Sequence, residues 1–166
     1  MVDTIIGVVV GFLLSEIKDW CARKKRHTAL WHALNAEIDF CKERASTYLQ
    51  DNVMAPLYRL PVLSYINCMP VLLSDGALTE NEVRPLVEFY TEVETLNRGL
   101  DNAAAMRADG DNEMLREEYD RNRLKATRLA ESGVLYSKAI AVTGGRRADR
   151  CLPQFIRNLA TDRRAS

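Results

Sequence analysis

The sequence predicts an all-α protein: a helical bundle of about three long and two short helices, the first continuous with an N-terminal hydrophobic membrane helix. Three observations carry that reading. Apolar residues recur at alternating spacings of three and four over long stretches, which is the period of a helix with one packed face. Pro56, Pro61, Gly76, Gly110, Gly144 and Gly145 fall between those stretches and punctuate them. No stretch alternates apolar and polar residues for long enough to make a strand.

The first element begins with the uncharged run Ile5 to Leu14, IIGVVVGFLL. Extended from Thr4 to Trp20 it would be roughly 25 Å long as a helix, the lower limit for a bilayer span. Arg23, Lys24, Lys25 and Arg26 follow at once. A basic run beside an apolar helix is how a chain meets anionic headgroups, each base contributing about 1 kcal/mol near the surface. Trp20 suits the interface, and Glu16 and Lys18 can reach the headgroups from the helix end. The expected topology is a single pass of the inner (cytoplasmic) membrane, N-terminus out and C-terminus in the cytoplasm. A cleaved signal has its bases before the apolar run, whereas only Asp3 precedes this one. The competing reading is a helix buried in a soluble oligomer. Gly7 and Gly11 form a GxxxG pair, whose flat stripe lets a second backbone approach closely. The residues expected to meet membrane or another copy are Ile5, Gly7, Gly11, Phe12, Leu14 and Trp20, with Arg23, Lys24, Lys25 and Arg26 at the surface. The division is thus an anchor over 1–22 with its basic flank to 27, then a cytoplasmic helical domain over 28–166.

The same helix is predicted to run on to about Gln50, because no Pro or Gly interrupts between Phe12 and Val53. Its seam reads Leu13, Ile17, Trp20, Lys24, His27, Trp31, Leu34, Ile38, Cys41, Ala45, Tyr48, with Lys24 and His27 breaking it where the chain would leave the membrane. Prolines at 56, 61 and 70 mark the next segment, with Pro61 placed to start a short helix and Pro70 to kink or end it. Ser74-Asp75-Gly76 is a turn, and Thr79 with Glu82 is a capping box for a helix over 80–107. That helix has the seam Leu86, Phe89, Val93, Leu96, Leu100, Ala103 and an acidic outer face of Glu88, Glu92 and Glu94. After the turn Asp109–Asn112, one helix is predicted over 113–142, with Leu115, Tyr119, Asn122, Ala126, Leu129, Gly133, Tyr136 and Ile140 on its seam. Gly144-Gly145 ends it, and Pro153 opens a last short helix with Leu152, Phe155, Ile156 and Leu159 on one stripe.

Charge and cysteine bound the function classes. Lys+Arg and Asp+Glu are equal at 23 each, but residues 1–27 carry +2, 28–143 carry −6 and 144–166 carry +4. The basic tail has one aromatic, Phe155, where single-strand binding interleaves several, so no nucleic-acid partner is expected. Cys21, Cys41, Cys68 and Cys151 have neither zinc nor redox spacing and read as buried or half-buried thiols in a reducing compartment. His27 and His32 are five apart, on different helix faces, and no Glu has His three residues later, so no metal and no cofactor are expected. Nucleotide-loop, zinc-protease and nucleophile-elbow motifs are absent from the sequence. The carboxylate pairs Glu37/Asp39 and Glu117/Glu118 diverge on a helix and read as surface charge, and Asn97 and Asn122 read as seam-rim residues.

The expected function is a non-enzymatic, single-span, membrane-anchored interaction or scaffold protein that associates with itself. Its partners would be the anionic inner leaflet, further copies of the chain and another protein. The alternatives are a membrane-perturbing effector acting through clustered short spans, of phage lysis or defence type, and a soluble oligomer with the first helix buried.

Overall fold

A computed structural model of the chain describes residues 2–130 and 133–144, with side chains from Leu14 onward. Every regular element among these residues is helical, as the sequence predicts. In order they are α1 (Val2–Asp51), α2 (Leu63–Ser74), α3 (Glu80–Asp109), α4 (Asn112–Leu129) and α5 (Val134–Gly144). The chain divides into two units, one holding residues 1–29 and the other Leu30–Gly145.

In the second unit the predicted seams meet. Leu34, Ile38, Cys41, Ala45 and Tyr48 of α1 are buried, as are Leu86, Phe89, Val93, Leu96 and Leu100 of α3 and Ala126 and Leu129 of α4. Burying one such side chain contributes about 1.5–3 kcal/mol, so this seam is what holds the helices together. The turns follow their local chemistry. Gly110, at φ +77°, ends α3 in the left-handed conformation, and Asp111 then caps α4 by accepting the Met114 amide at 3.1 Å. At the start of α3 the Glu82 carboxylate accepts both the amide and the hydroxyl of Thr79, the expected capping pair.

Two helix boundaries differ from expectation. The predicted 113–142 helix is two helices, because the chain turns at Ala130, whose backbone is extended, and at Gly133. A Cβ at Gly133 would lie 1.9 Å from the Arg128 carbonyl oxygen, so the turn requires glycine. The short helix starts at Leu63, two residues after Pro61, and passes through Pro70 to Ser74. Pro70 is exposed, so the carbonyl one turn back that lacks an amide partner can face water there. The short helix expected from Pro153 lies outside the described residues.

The proline-marked segment between α1 and α2 has no helical hydrogen bonds and is held by side chains instead. Asn97 of α3 donates its amide to the Leu60 carbonyl and accepts the Leu60 N–H, both at 2.8 Å. Arg59 donates to the carbonyls of Pro56 and Tyr58 and to Asp101. Asn97→Ala strands both polar groups of Leu60, a residue only 2% exposed. The expected cost is about 2 kcal/mol, read as a lower urea midpoint with an unchanged slope.

Candidate interaction surfaces

The residues predicted to meet a membrane lie in the first half of α1. The side chains of Ile5, Gly7, Gly11 and Phe12 are outside the described residues. From Leu14 the helix is exposed: Leu14 is 62% and Ile17 57% exposed, three apart on one face. Trp20 is half-buried, with the Lys24 ammonium 5.5 Å from its ring centroid. Arg23, Lys24, Lys25 and Arg26 are all exposed. Four consecutive helical positions fan around the axis rather than line one face, so some of these bases face outward in any orientation. Among the described residues no helix is long and apolar enough to cross a membrane.

The polar groups of the second unit are mostly structural, and three of them depart from the surface roles expected of them. Glu37 is 7% exposed. Its carboxylate accepts the backbone amides of Ser64 and Tyr65, at 2.7 and 3.0 Å, and the Tyr90 hydroxyl at 2.9 Å. Val62, at the α2 N-cap position, offers no side-chain acceptor, so α1 supplies the cap from across the interface. Glu118 is likewise buried, with Arg121 at 3.4 Å and Lys125 at 3.9 Å on its rim. Asn122 is fully buried against Gly99 rather than at the seam's edge. The other expected surface carboxylates behave as predicted in part: Glu117 is exposed and pairs with Arg121, while half-buried Asp39 accepts the Tyr136 hydroxyl at 2.9 Å.

Glu37 organises its surroundings electrically as well. Burial, followed by the nearby Glu37 charge, pushes the thiols of Cys41 and Cys68 up, and does the same to the Tyr90 phenol. The thiols stay protonated and unreactive, and Cys41 donates to the Pro61 carbonyl at 3.3 Å. Cys21, in contrast, is exposed, and Cys151 lies outside the described residues. Among the described residues no group of three or more His, Cys, Asp or Glu is placed to hold a metal ion.

Among the described residues, exposed apolar side chains of this unit include Val53, Met54 and Leu57 before α2 and two further groups. One lines a groove of about 740 Å³ between α3 and the α4–α5 turn, walled by Val87, Val134 and Leu135 and crossed by the Arg128–Glu92 ion pair at 3.3 Å. The other is the outer face of α2, where Leu63, Ile66 and Leu73 are 70%, 56% and 48% exposed. Asn67 and Ser74 share this face, so it is a mixed surface with apolar side chains in the majority. No family model, no curated protein and no solved structure matches this chain.

Proposed function

We propose that this is a non-enzymatic helical interaction module, held at the cytoplasmic face of a membrane by its N-terminal segment and associating with itself. The observation that carries the reading is the first half of α1. Leu14 at the end of the uncharged run Ile5–Leu14 and Ile17 just after it stand exposed, and four exposed bases follow within three turns of Ile17. An apolar segment flanked on one side by Arg and Lys is retained with its basic end toward the cytoplasm. The second unit, by this reading, is the cargo of the anchor: a closed bundle whose remaining open surfaces meet other proteins.

The test is an alkaline-carbonate wash of membranes from cells making either the full chain or one that starts after residue 22. The full chain is expected in the pellet and the shortened chain in the supernatant. Recovery of both in the supernatant would overturn the anchor and make residues 5–14 a protein-buried helix.

A further inference from the structure

We infer that copies of this chain associate by exchanging α5: the turn after α4 opens, α4 and α5 become one straight helix, and each α5 docks into the bundle of the other copy. The inference rests on the self-association in the reading above and names the element that performs it. Three observations argue for it.

First, the site for a second copy's α5 already exists, because the chain's own α5 fills it. Ala139 is fully buried in the core. The Tyr136 hydroxyl donates to Asp39 at 2.9 Å, with the Lys42 ammonium 5.0 Å from the Tyr136 ring centroid. The Thr143 hydroxyl donates to Asn35 Oδ1 at 2.8 Å. An identical helix from another copy makes the same contacts, so the exchange strands no polar group and needs no new surface. It is also reciprocal, as a two-fold association requires.

Second, the sequence of the two helices suits a single one. Leu115, Tyr119, Asn122, Ala126 and Leu129 continue through Gly133, Tyr136 and Ile140 at spacings of four and three, without a proline between 112 and 144. Straightening the chain there sets both stripes on one side of a continuous helix.

Third, the closed form depends on one short turn. Ala130 is extended, and the Gly133 amide donates to the Ala130 carbonyl at 2.7 Å. The turn admits only glycine at 133, where a Cβ would meet the Arg128 and Ala130 carbonyl oxygens at 1.9 and 2.9 Å. A short hinge of this kind is where chains exchange an element. The closed monomer keeps the advantage when copies are dilute, and the exchanged pair gains as they are concentrated.

The experiment is cross-linking of the full chain with a short bismaleimide, read separately in membrane and soluble fractions. Cys21 and Cys151 are replaced by Ser, while Cys41 and Cys68 stay because both are buried. A chain carrying Lys42→Cys is co-expressed with a differently tagged chain carrying Tyr136→Cys. The expected product is the mixed 42–136 dimer, several-fold above any dimer from either variant alone. Both changes in one chain serve as the control and are expected to link within the closed monomer. Adding Gly133→Ala, which suits a helix and not the turn, is expected to raise the mixed product several-fold. Adding Val134→Pro, accepted at the first position of α5 but not inside a continuous helix, is expected to reduce it to the single-variant level. Equal yields from the Gly133→Ala and Val134→Pro chains overturn the hinge. Tagged copies that co-purify without the 42–136 link, while the control links within one chain, associate by another surface and overturn the exchange alone. Copies that do not co-purify in either fraction overturn the exchange and self-association together. A control that does not link overturns the α1–α5 contact and the exchange with it. Which fraction holds the product bears only on the anchor.

Discussion

Glu37→Ala is expected to lower the thermal midpoint of the chain by on the order of 10 °C, corresponding to about 3 kcal/mol or more. The carboxylate accepts from Ser64, Tyr65 and Tyr90, and its removal leaves three donors without an acceptor in one place. Tyr90 is 1% exposed, so water reaches its hydroxyl only if α1, α2 and α3 move apart. The same change removes the negative charge at the start of α2, where the unpaired amides of a helix N-terminus favour an anion. Glu37→Gln keeps one acceptor oxygen but turns an NH₂ toward the remaining donors, so its cost lies between that of alanine and nothing. Tyr90→Phe leaves both backbone amides satisfied and is expected to cost only about 1 kcal/mol. The ordering alanine, then glutamine, then Tyr90→Phe, measured by thermal melts followed by circular dichroism, tests the cap. If Glu37→Ala melts like the parent, α2 does not depend on α1 for its N-terminus.

The contrast between Glu37 and Glu117 shows where sequence reading stops. Both are glutamates in charged helical segments two positions or fewer from another acid, and spacing alone assigns both to the surface. What separates them is an acceptor shortage elsewhere: α2 begins after Val62, which has no polar side chain, and the nearest buried acceptor comes from another helix. Pro61 as the expected first helical residue put the start two positions too early, and with Val62 at the true N-cap the acceptor has to come from another segment, which no local pattern reveals. The seams, in contrast, were legible because burial of a helix face is a periodic property of one segment. Leu34 through Tyr48 and Leu86 through Ala103 are buried at the positions their spacing assigns. The division of α4 from α5 escaped the same logic, since Gly133 and Tyr136 keep the seam's register across the break. Only the space around Gly133 reveals the turn. Pro70 misled in the opposite direction: proline disfavours a helix interior, yet on an exposed face the missing hydrogen bond is tolerated.

The second large effect is expected at the crossing of α3 and α4, and it is a coupling rather than a single cost. A Cβ on Gly99 would lie 1.9 Å from Asn122 Oδ1 and 2.7 Å from its Cγ. Gly99→Ala should gain about 1 kcal/mol of helix propensity, but Asn122 is fully buried and has no solvent to swing into. Overpacking at such a site costs about 1–3 kcal/mol, which cancels or outweighs that gain. Asn122 holds the Lys125 ammonium at 3.2 Å through Oδ1, while its Nδ2 has no hydrogen-bond partner among the described residues. Asn122→Ala therefore removes a stranded donor as well as some packing, and its own cost is expected to be about 1 kcal/mol. In the double variant the methyl group added at position 99 fills space that the asparagine vacates. The pair is expected to be more stable than the sum of the single changes by about 2 kcal/mol, measured as a double-mutant cycle in urea. Two contacting residues that share one volume must couple in this way, whereas additive costs would place Gly99 and Asn122 on separate surfaces and refute the close approach of α3 to α4.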